Sequence, residues 1–457
     1  MTAGEAVNSA INQEQAIDHT TQVALPPRLI ELGKGVTEQG DRVAFRQTFI
    51  LCHPNAVRDV LVAFDAKMIK PRALRWARLT LGKGLLTSDG ELHRRQRPII
   101  QPTLHPKRLA GYASTMVHHS VETANRWRDG QSIDAREEMT RLTLHIVADA
   151  LFGAALGPEV DAISSAMDYN VRAFLRLTRP WGKILGLLPT PFTIKYLLSR
   201  HKVLSVLRRF VAARRSSGVE KDDLLGRLIA ARTPDGQPAM SEKQLIDECV
   251  TLFAAGHETT ANALTYTLWL LALNPHVQAR LSAEIAYILP DPKSRPTIDD
   301  VDRLPYARMV LCESMRLYPP AWIQGRELTE NLTIDGTPFR RGGTVYISQW
   351  ITHRDARWWA DPLRFDPDRF DSNVPALSAD GSPRPRWAYF PFGGGSRSCI
   401  GEAFAWTELI LALAVLVQHW RFEPSPAAEP IRLEPGITLR PGSSVKLIVR
   451  ARSLSDK

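Results

Sequence analysis

The 33 residues from Ser241 to Leu273 read as a single helix. Ser241, with Gln244 three positions on, makes a capping-box start, and Asn274-Pro275 supplies a stop. A helix of that length spans about 50 Å, enough to cross a whole domain. Its flanks around Leu252, Phe253, Leu264 and Leu268–Leu271 are apolar on every side, which marks a buried strut rather than a surface helix. A chain built on such a strut must wrap other elements around it, and most of them also read as helices.

The rest of the sequence fits that scheme. A strand is expected at Arg42–Leu51, and a second helix from about Tyr306 to Leu317, between Pro305 and Pro319-Pro320. An Asp335-Gly336 turn in LTIDGTPF and the β-branched TVYIS follow. A proline-rich irregular stretch runs from Pro362 to Pro391, a last helix starts near Ile400, and GITLRPGSSVKLIV reads as a C-terminal hairpin. The fold class expected is mainly α with a small β part. Residues 1–22 are expected to be a loose tail and 23–457 one domain. The apolar stretch at Arg179–Pro191 breaks helices, and Ile184–Leu188 within it suit a lid.

Composition narrows the function classes. Hydrophobic residues make up 44% and charged residues 23% of 457, values ordinary for a globular protein. Cys52, Cys249, Cys312 and Cys399 are far apart and form no CxxC pair, which argues against zinc fingers and disulfide scaffolds and fits a reducing cytoplasm. The N-terminus has no basic-then-apolar leader, and Leu409–Val417 is too short to span a bilayer, so no membrane anchor is expected. The net charge of +10 is dispersed, with groups at Arg94, Arg95, Arg97 and at Arg208, Arg209, Arg214, Arg215. No basic module interleaved with aromatics points to nucleic acid. A solvated basic surface and a docking face for an acidic protein both remain open.

Chemistry concentrates in two places. FGGGSRSCIG, Phe392–Gly401, sets Cys399 at the start of an apolar helix, where free N–H groups and the helix dipole favour a thiolate. Gly393, Gly394 and Gly395 let the backbone approach a bulky partner, and Gly401 leaves room beside the sulfur. One thiolate without other soft ligands suits an axial position on haem iron better than zinc. The loop lacks the spacing and lysine of a phosphate-binding loop. In the strut, Gly256 to Thr260 interrupt the apolar pattern. A helical glycine costs about 1 kcal/mol, and a buried carboxylate costs more unless paired. Glu258 and Thr259 beside Gly256 could pass protons into a buried site. A third group, Glu313 and Arg316 at i,i+3 on a buried helix face, has Arg369 of DPDRF as a further partner in a structural role.

FGGGSRSCIG, AGHETT, ESMR and DPDRF, in their places along the chain, together resemble the cytochrome P450 superfamily of haem-thiolate monooxygenases, soluble bacterial type. The resemblance implies the P450 fold, a single haem domain with the long helix over the haem, and haem b as cofactor. It implies Cys399 as the iron ligand, Glu258 and Thr259 as the acid–alcohol pair, and Gly256 as a kink. Glu313, Arg316 and Arg369 match the structural triad, and Phe392 the residue packed by the sulfur. Arg397, Arg97, His93 and Arg326 match positions that face the haem propionates, with His93 where many members carry tryptophan. The substrate pocket would be lined by Leu85, Ala255, Trp322 and Ile323, which are mostly apolar, so a hydrophobic small molecule (terpenoid, fatty acid or polyketide-like) is expected as substrate alongside O2. Electrons would come from NAD(P)H through a ferredoxin and its reductase, and the protein would work as a cytoplasmic monomer. Two alternatives stay open: a haem-thiolate isomerase or dehydratase needing no external electrons, and a non-catalytic haem-binding protein.

Overall fold

In the computed structural model, Ser241 caps the strut, its hydroxyl accepting the Gln244 N–H at 3.2 Å. The Gln244 side chain does not close a capping box; it donates to the Lys83 carbonyl and to Glu248 instead. Helix Glu242–Leu273 runs unbroken through Gly256, and Pro275 opens the next helix. The structure describes residues 17–18, 23–24, 42–45, 48–153, 160–177, 188–218, 223–291 and 293–452.

The longer helices are α1 (Gly90–Ile100), α2 (Leu109–Arg126), α3 (Ala135–Phe152), α4 (Val160–Leu177), α5 (Pro191–Ser217), α6 (Glu242–Leu273), α7 (Pro275–Ile288), α8 (Pro305–Leu317) and α9 (Glu402–His419). The strut α6 packs against α3, α8 and α9. The last turns of α6, from Ala261 to Ala272, are buried on every face, as its all-round apolar sequence requires. Helix α9 is long and apolar enough to cross a membrane by length and composition, but most of it lies inside the protein.

The strands are β1 (Ile17–Asp18), β2 (Val23–Ala24), β3 (Arg42–Phe45), β4 (Thr48–Leu51), β5 (Met68–Ile69), β6 (Ser132–Asp134), β7 (Gln324–Leu328), β8 (Leu332–Ile334), β9 (Thr337–Phe339), β10 (Thr344–Ile347), β11 (Trp420–Pro424), β12 (Ile431–Pro435), β13 (Leu439–Pro441) and β14 (Lys446–Ala451). They form sheets ordered β3-β4-β10-β7-β5, β1-β2-β12-β13 and β11-β14-β6, with β8-β9 as a separate hairpin. Asp335 and Gly336 both have positive φ, 44° and 73°, as a two-residue hairpin turn demands.

Two expectations change, the strand at Arg42–Leu51 and the C-terminal hairpin. Arg42–Leu51 is two antiparallel strands, because the second pairs with β10 along its other edge and the first must fold back. Residues 17 and 18, inside the segment expected to be loose, pair with β2, which in turn pairs with β12. The final helix begins at Glu402, with Ile400 and Gly401 in a turn. The C-terminal hairpin is not formed: β13 pairs with β12, and β14 pairs with β11 and β6. Leu447 and Val449 are fully buried in that arrangement. The lid segment expected at 184–188 lies outside the described residues except for Leu188, which is exposed.

Candidate active site

The cysteine loop is shaped by its glycines. Gly393 and Gly395 take positive φ of 71° and 67°. A Cβ on Gly395 would lie 1.8 Å from the Leu61 carbonyl oxygen, so no other residue fits there. The Cys399 N–H donates to the Phe392 carbonyl at 2.9 Å and closes the loop, while the Phe392 ring packs 5.5 Å from the Trp406 ring. A Cβ on Gly401 would meet no protein atom within 4 Å.

The Cys399 side chain is accessible, yet burial pushes its thiol up to about 11. Burial thus opposes the thiolate that the helix start favours. A backbone N–H at Gly401 and the nearby Arg97 favour the thiolate, but desolvation outweighs them. A metal cation at the sulfur reverses that balance, because a coordinating thiol gives up its proton.

Around the loop lies a group of buried charges. Arg397 donates to Asp65 and, at 3.0 Å, to Asp89. Asp65 also receives the Ser396 N–H at 3.2 Å, and Asp89 the N–H of Lys70. Arg97 reaches across to the Ser398 carbonyl at 3.0 Å. Among the described residues Arg326, on β7, bonds only the Gly325 carbonyl at 2.9 Å, and burial pushes its guanidinium down to about 10. Lys70 donates to the Leu85 carbonyl at 2.7 Å and is pulled down to about 7, chiefly by burial. His93 is buried and pushed down to about 4, first by burial and then by Lys70, Arg397 and Arg97, so it stands neutral.

Three guanidinium cations, Arg97, Arg326 and Arg397, with Lys70 beside them, thus face two carboxylates, and the Nε atoms of Arg326 and Arg397 are buried without partners among the described residues. A ligand carrying two carboxylates would balance that excess. Haem b has two propionates, and with the desolvated cysteine the residues present fit it.

Glu313, Arg316 and Arg369 come together in the structure. Arg316 donates to both oxygens of Glu313 at 2.6 and 2.8 Å, and Arg369 approaches the same carboxylate at 3.3 Å. Arg316 also bonds the carbonyls of His353, Pro362 and Arg364, so the buried guanidinium is fully used. The Asp366 N–H joins Glu313 at 2.9 Å and ties the irregular segment to α8.

On α6, Ala255 is exposed and Gly256 and Thr259 half-buried, between flanks that are buried. Thr259 bonds back to the Ala255 carbonyl at 2.9 Å. Gly256 marks no break in the helix; a Cβ there would lie 3.0 Å from Val147 of α3, so the glycine permits close helix packing. Of the expected pocket residues, Trp322 and Ile323 are half-buried, and Leu85 is buried with its N–H on Glu248 at 2.8 Å.

Glu258 does not bond Thr259. Its Oε1 accepts the Thr438 hydroxyl at 2.6 Å and lies 4.0 Å from Arg440, both supplied by the β12–β13 region. Glu258 lines a polar cavity of about 420 Å³, with Arg136, Arg141, Ser164, Asn262 and Arg440 among its walls.

Lys70, Asp65, Asp89, Thr438 and Arg440 complete this site, and the sequence analysis did not single them out. Asp89 had a readable signal, standing in TSDGE as the cap of α1. The others lie in unremarkable local contexts and meet the site only through tertiary contact. Glu408 of α9 is a further such residue, fully buried beside Thr260, and burial pushes its carboxyl well above the usual carboxylate range.

The profile of the cytochrome P450 family matches residues 42–448. The chain therefore belongs to the cytochrome P450 family of haem-thiolate monooxygenases, for which haem b is the implied cofactor. It is 35% identical to cyclooctatin synthase of Streptomyces melanosporofaciens over 404 residues, covering 88% of this chain and 86% of that protein. Cyclooctat-9-en-7-ol 5-monooxygenase of the same organism is 32% identical, over 90% and 88%. Pentalenene oxygenase of Streptomyces avermitilis is also 32% identical, over 91% and 92%.

Proposed function

We propose that residues 23–457 form one haem domain that inserts an oxygen atom from O2 into an apolar small molecule of terpenoid type. The observation that carries this reading is the desolvated Cys399 in its glycine loop, set beside Arg97, Arg326, Arg397 and Lys70, which outnumber the two carboxylates Asp65 and Asp89. The substrate class rests on the apolar residues around Ala255, Trp322 and Ile323 and on the relatives' names, which denote an -ene and an -en-ol.

In this reading Cys399 holds haem b, and Arg97, Arg326, Arg397, Lys70 and His93 receive its propionates. When bound, the haem supplies oxygen activation, favoured by electron density from the thiolate. The protein does the rest. Thr259 presents a hydroxyl at the exposed turn of α6. Glu258, held by Thr438 in the polar cavity, exchanges protons with water and replenishes the site. Apolar side chains exclude bulk water from the substrate.

The carbon monoxide difference spectrum of the dithionite-reduced protein tests it. A strongly red-shifted main band is expected, and it should be lost in Cys399→His. A haem-loaded protein whose band matches histidine or neutral thiol ligation would refute the assignment. NAD(P)H consumption with a terpenoid panel and a reconstituted ferredoxin system then separates a monooxygenase from an isomerase.

We also assign electron delivery to a separate acidic ferredoxin, acting on a cytoplasmic monomer. Arg94 and Arg95 are exposed on α1, the helix that carries Arg97 to the cysteine loop, and offer a basic docking face. Reduction should slow as ionic strength rises; a rate indifferent to salt would remove this partner.

A further inference from the structure

Outside the haem site, α2 and α3 bring together a set of side chains that the activity does not use. His118 and His119 precede Glu122 by four and three residues, so all three share one helix face. One donor atom from each lies within 4.8 Å of the others. His118 Nε2 is 3.4 Å from Glu122 Oε1, and His119 Nδ1 is 3.4 Å from Glu122 Oε2.

Those separations are long for charge-assisted hydrogen bonds, which run about 2.7–2.9 Å. Two ligand atoms about 2.0–2.2 Å from one metal stand about 3.3–3.6 Å apart, and each histidine nitrogen lies at such a separation from its nearer Glu122 oxygen. From α3, Asp149 Oδ2 lies 3.1 Å from His119 Nε2. A carboxylate only accepts, so in neutral His119 the proton sits on Nε2 and the Nδ1 lone pair is left for the site. A carboxylate supporting the far nitrogen of a ligand histidine is a common outer arrangement at metal centres. The His145 ring stacks on His119 at 5.5 Å and 25° and limits its rotation. His118 and Glu122 are each 54% exposed, so an ion can enter and water can complete its coordination.

We propose that His118, His119 and Glu122 bind one divalent cation of the zinc class, with Asp149 orienting His119. Two imidazoles and one carboxylate suit Zn2+, Co2+ or Ni2+, whereas Ca2+ and Mg2+ prefer oxygen ligands.

Calorimetric titration of the tag-free holoenzyme with Zn2+ tests this. One ion per chain is expected, with binding weakened at least tenfold in His118→Asn and in Glu122→Gln. Asp149→Asn removes no ligand and should weaken binding by about 10–100-fold. All three positions are substantially exposed, so the variants should keep the parent's melting temperature in chelator, a control for folding. The haem absorption should not move on titration, which separates this site from Cys399. Absence of saturable binding, or binding equal in parent, His118→Asn and Glu122→Gln, overturns the site. An unchanged affinity in Asp149→Asn would remove Asp149 from it.

Discussion

Glu258 and Thr259 are neighbours in the chain but stand 100° apart around α6, so they address different spaces. Thr259 bonds within its own helix, and Glu258 is held by the Thr438 hydroxyl at 2.6 Å, with Arg440 at 4.0 Å. A proton donor held in one orientation acts faster than a mobile one, because misplacement of about 1 Å can cost about a hundredfold in rate. On the proposed function, Thr438→Val leaves Glu258 free to turn toward Arg440. Product formed per NAD(P)H consumed should fall by roughly tenfold, with hydrogen peroxide rising in compensation, while Thr438→Ser should restore it. Equal coupling in Thr438→Val and the parent would mean that Thr438 only packs. The carbon monoxide spectrum reports the cysteine and should be the same in all three.

At the scale of elements, the loop before α9 is rigid because its glycines are not interchangeable. Gly395 combines φ of 67° with a Cβ position 1.8 Å from a backbone oxygen of Leu61. The left-handed conformation alone costs an alanine about 1 kcal/mol, and the clash is with backbone, which cannot turn aside. Gly395→Ala should therefore lower thermal stability by several degrees and reduce haem content, measured by calorimetry and by haem-to-protein absorbance. Full haem loading at the parental melting temperature would show that the loop can shift. The same loop is tied to the first third of the chain by Arg397 and Ser396 on Asp65, and damage here should therefore loosen the β5 region as well. The glycine run was visible in the sequence; its specific clash was not, since Leu61 is over 300 positions away.

Across the whole molecule, the N-terminal half of α6 is clamped to the segment before α1. Glu248, fully buried, accepts the Leu85 N–H, and burial raises its carboxyl from 4.5 to about 7. Between those two values the folded protein keeps a proton that the unfolded chain has released. The protonated form's contribution is thus complete below about pH 4.5 and is lost as pH rises through about 7. At about 1.4 kcal/mol per unit, the loss is on the order of 3 kcal/mol. Glu248→Gln mimics the protonated group, so its denaturation midpoint should exceed the parent's at pH 8 and converge with it near pH 4.5. His93, pushed down to about 4, works in the opposite sense over pH 4 to 6.5, but it is common to both proteins and cancels in the difference. A constant difference between them at all pH values would contradict the buried-proton account. What the sequence determined by itself was whatever rests on neighbours in the chain. The long α6 with its cap and stop, the two-residue turn at Asp335-Gly336, the Glu313–Arg316 pair and the glycine loop at Cys399 all follow from periodicity and local stereochemistry. Tertiary structure decided what depends on distant partners. It split Arg42–Leu51 into two strands, sent β13 and β14 to different sheets, and made Gly256 a packing position against Val147. It also brought Lys70, Asp65 and Asp89 to Arg397, and Thr438 to Glu258. The physical reason is desolvation: a buried charge or an unpaired strand edge must find a partner in space, and local sequence does not say which one is near.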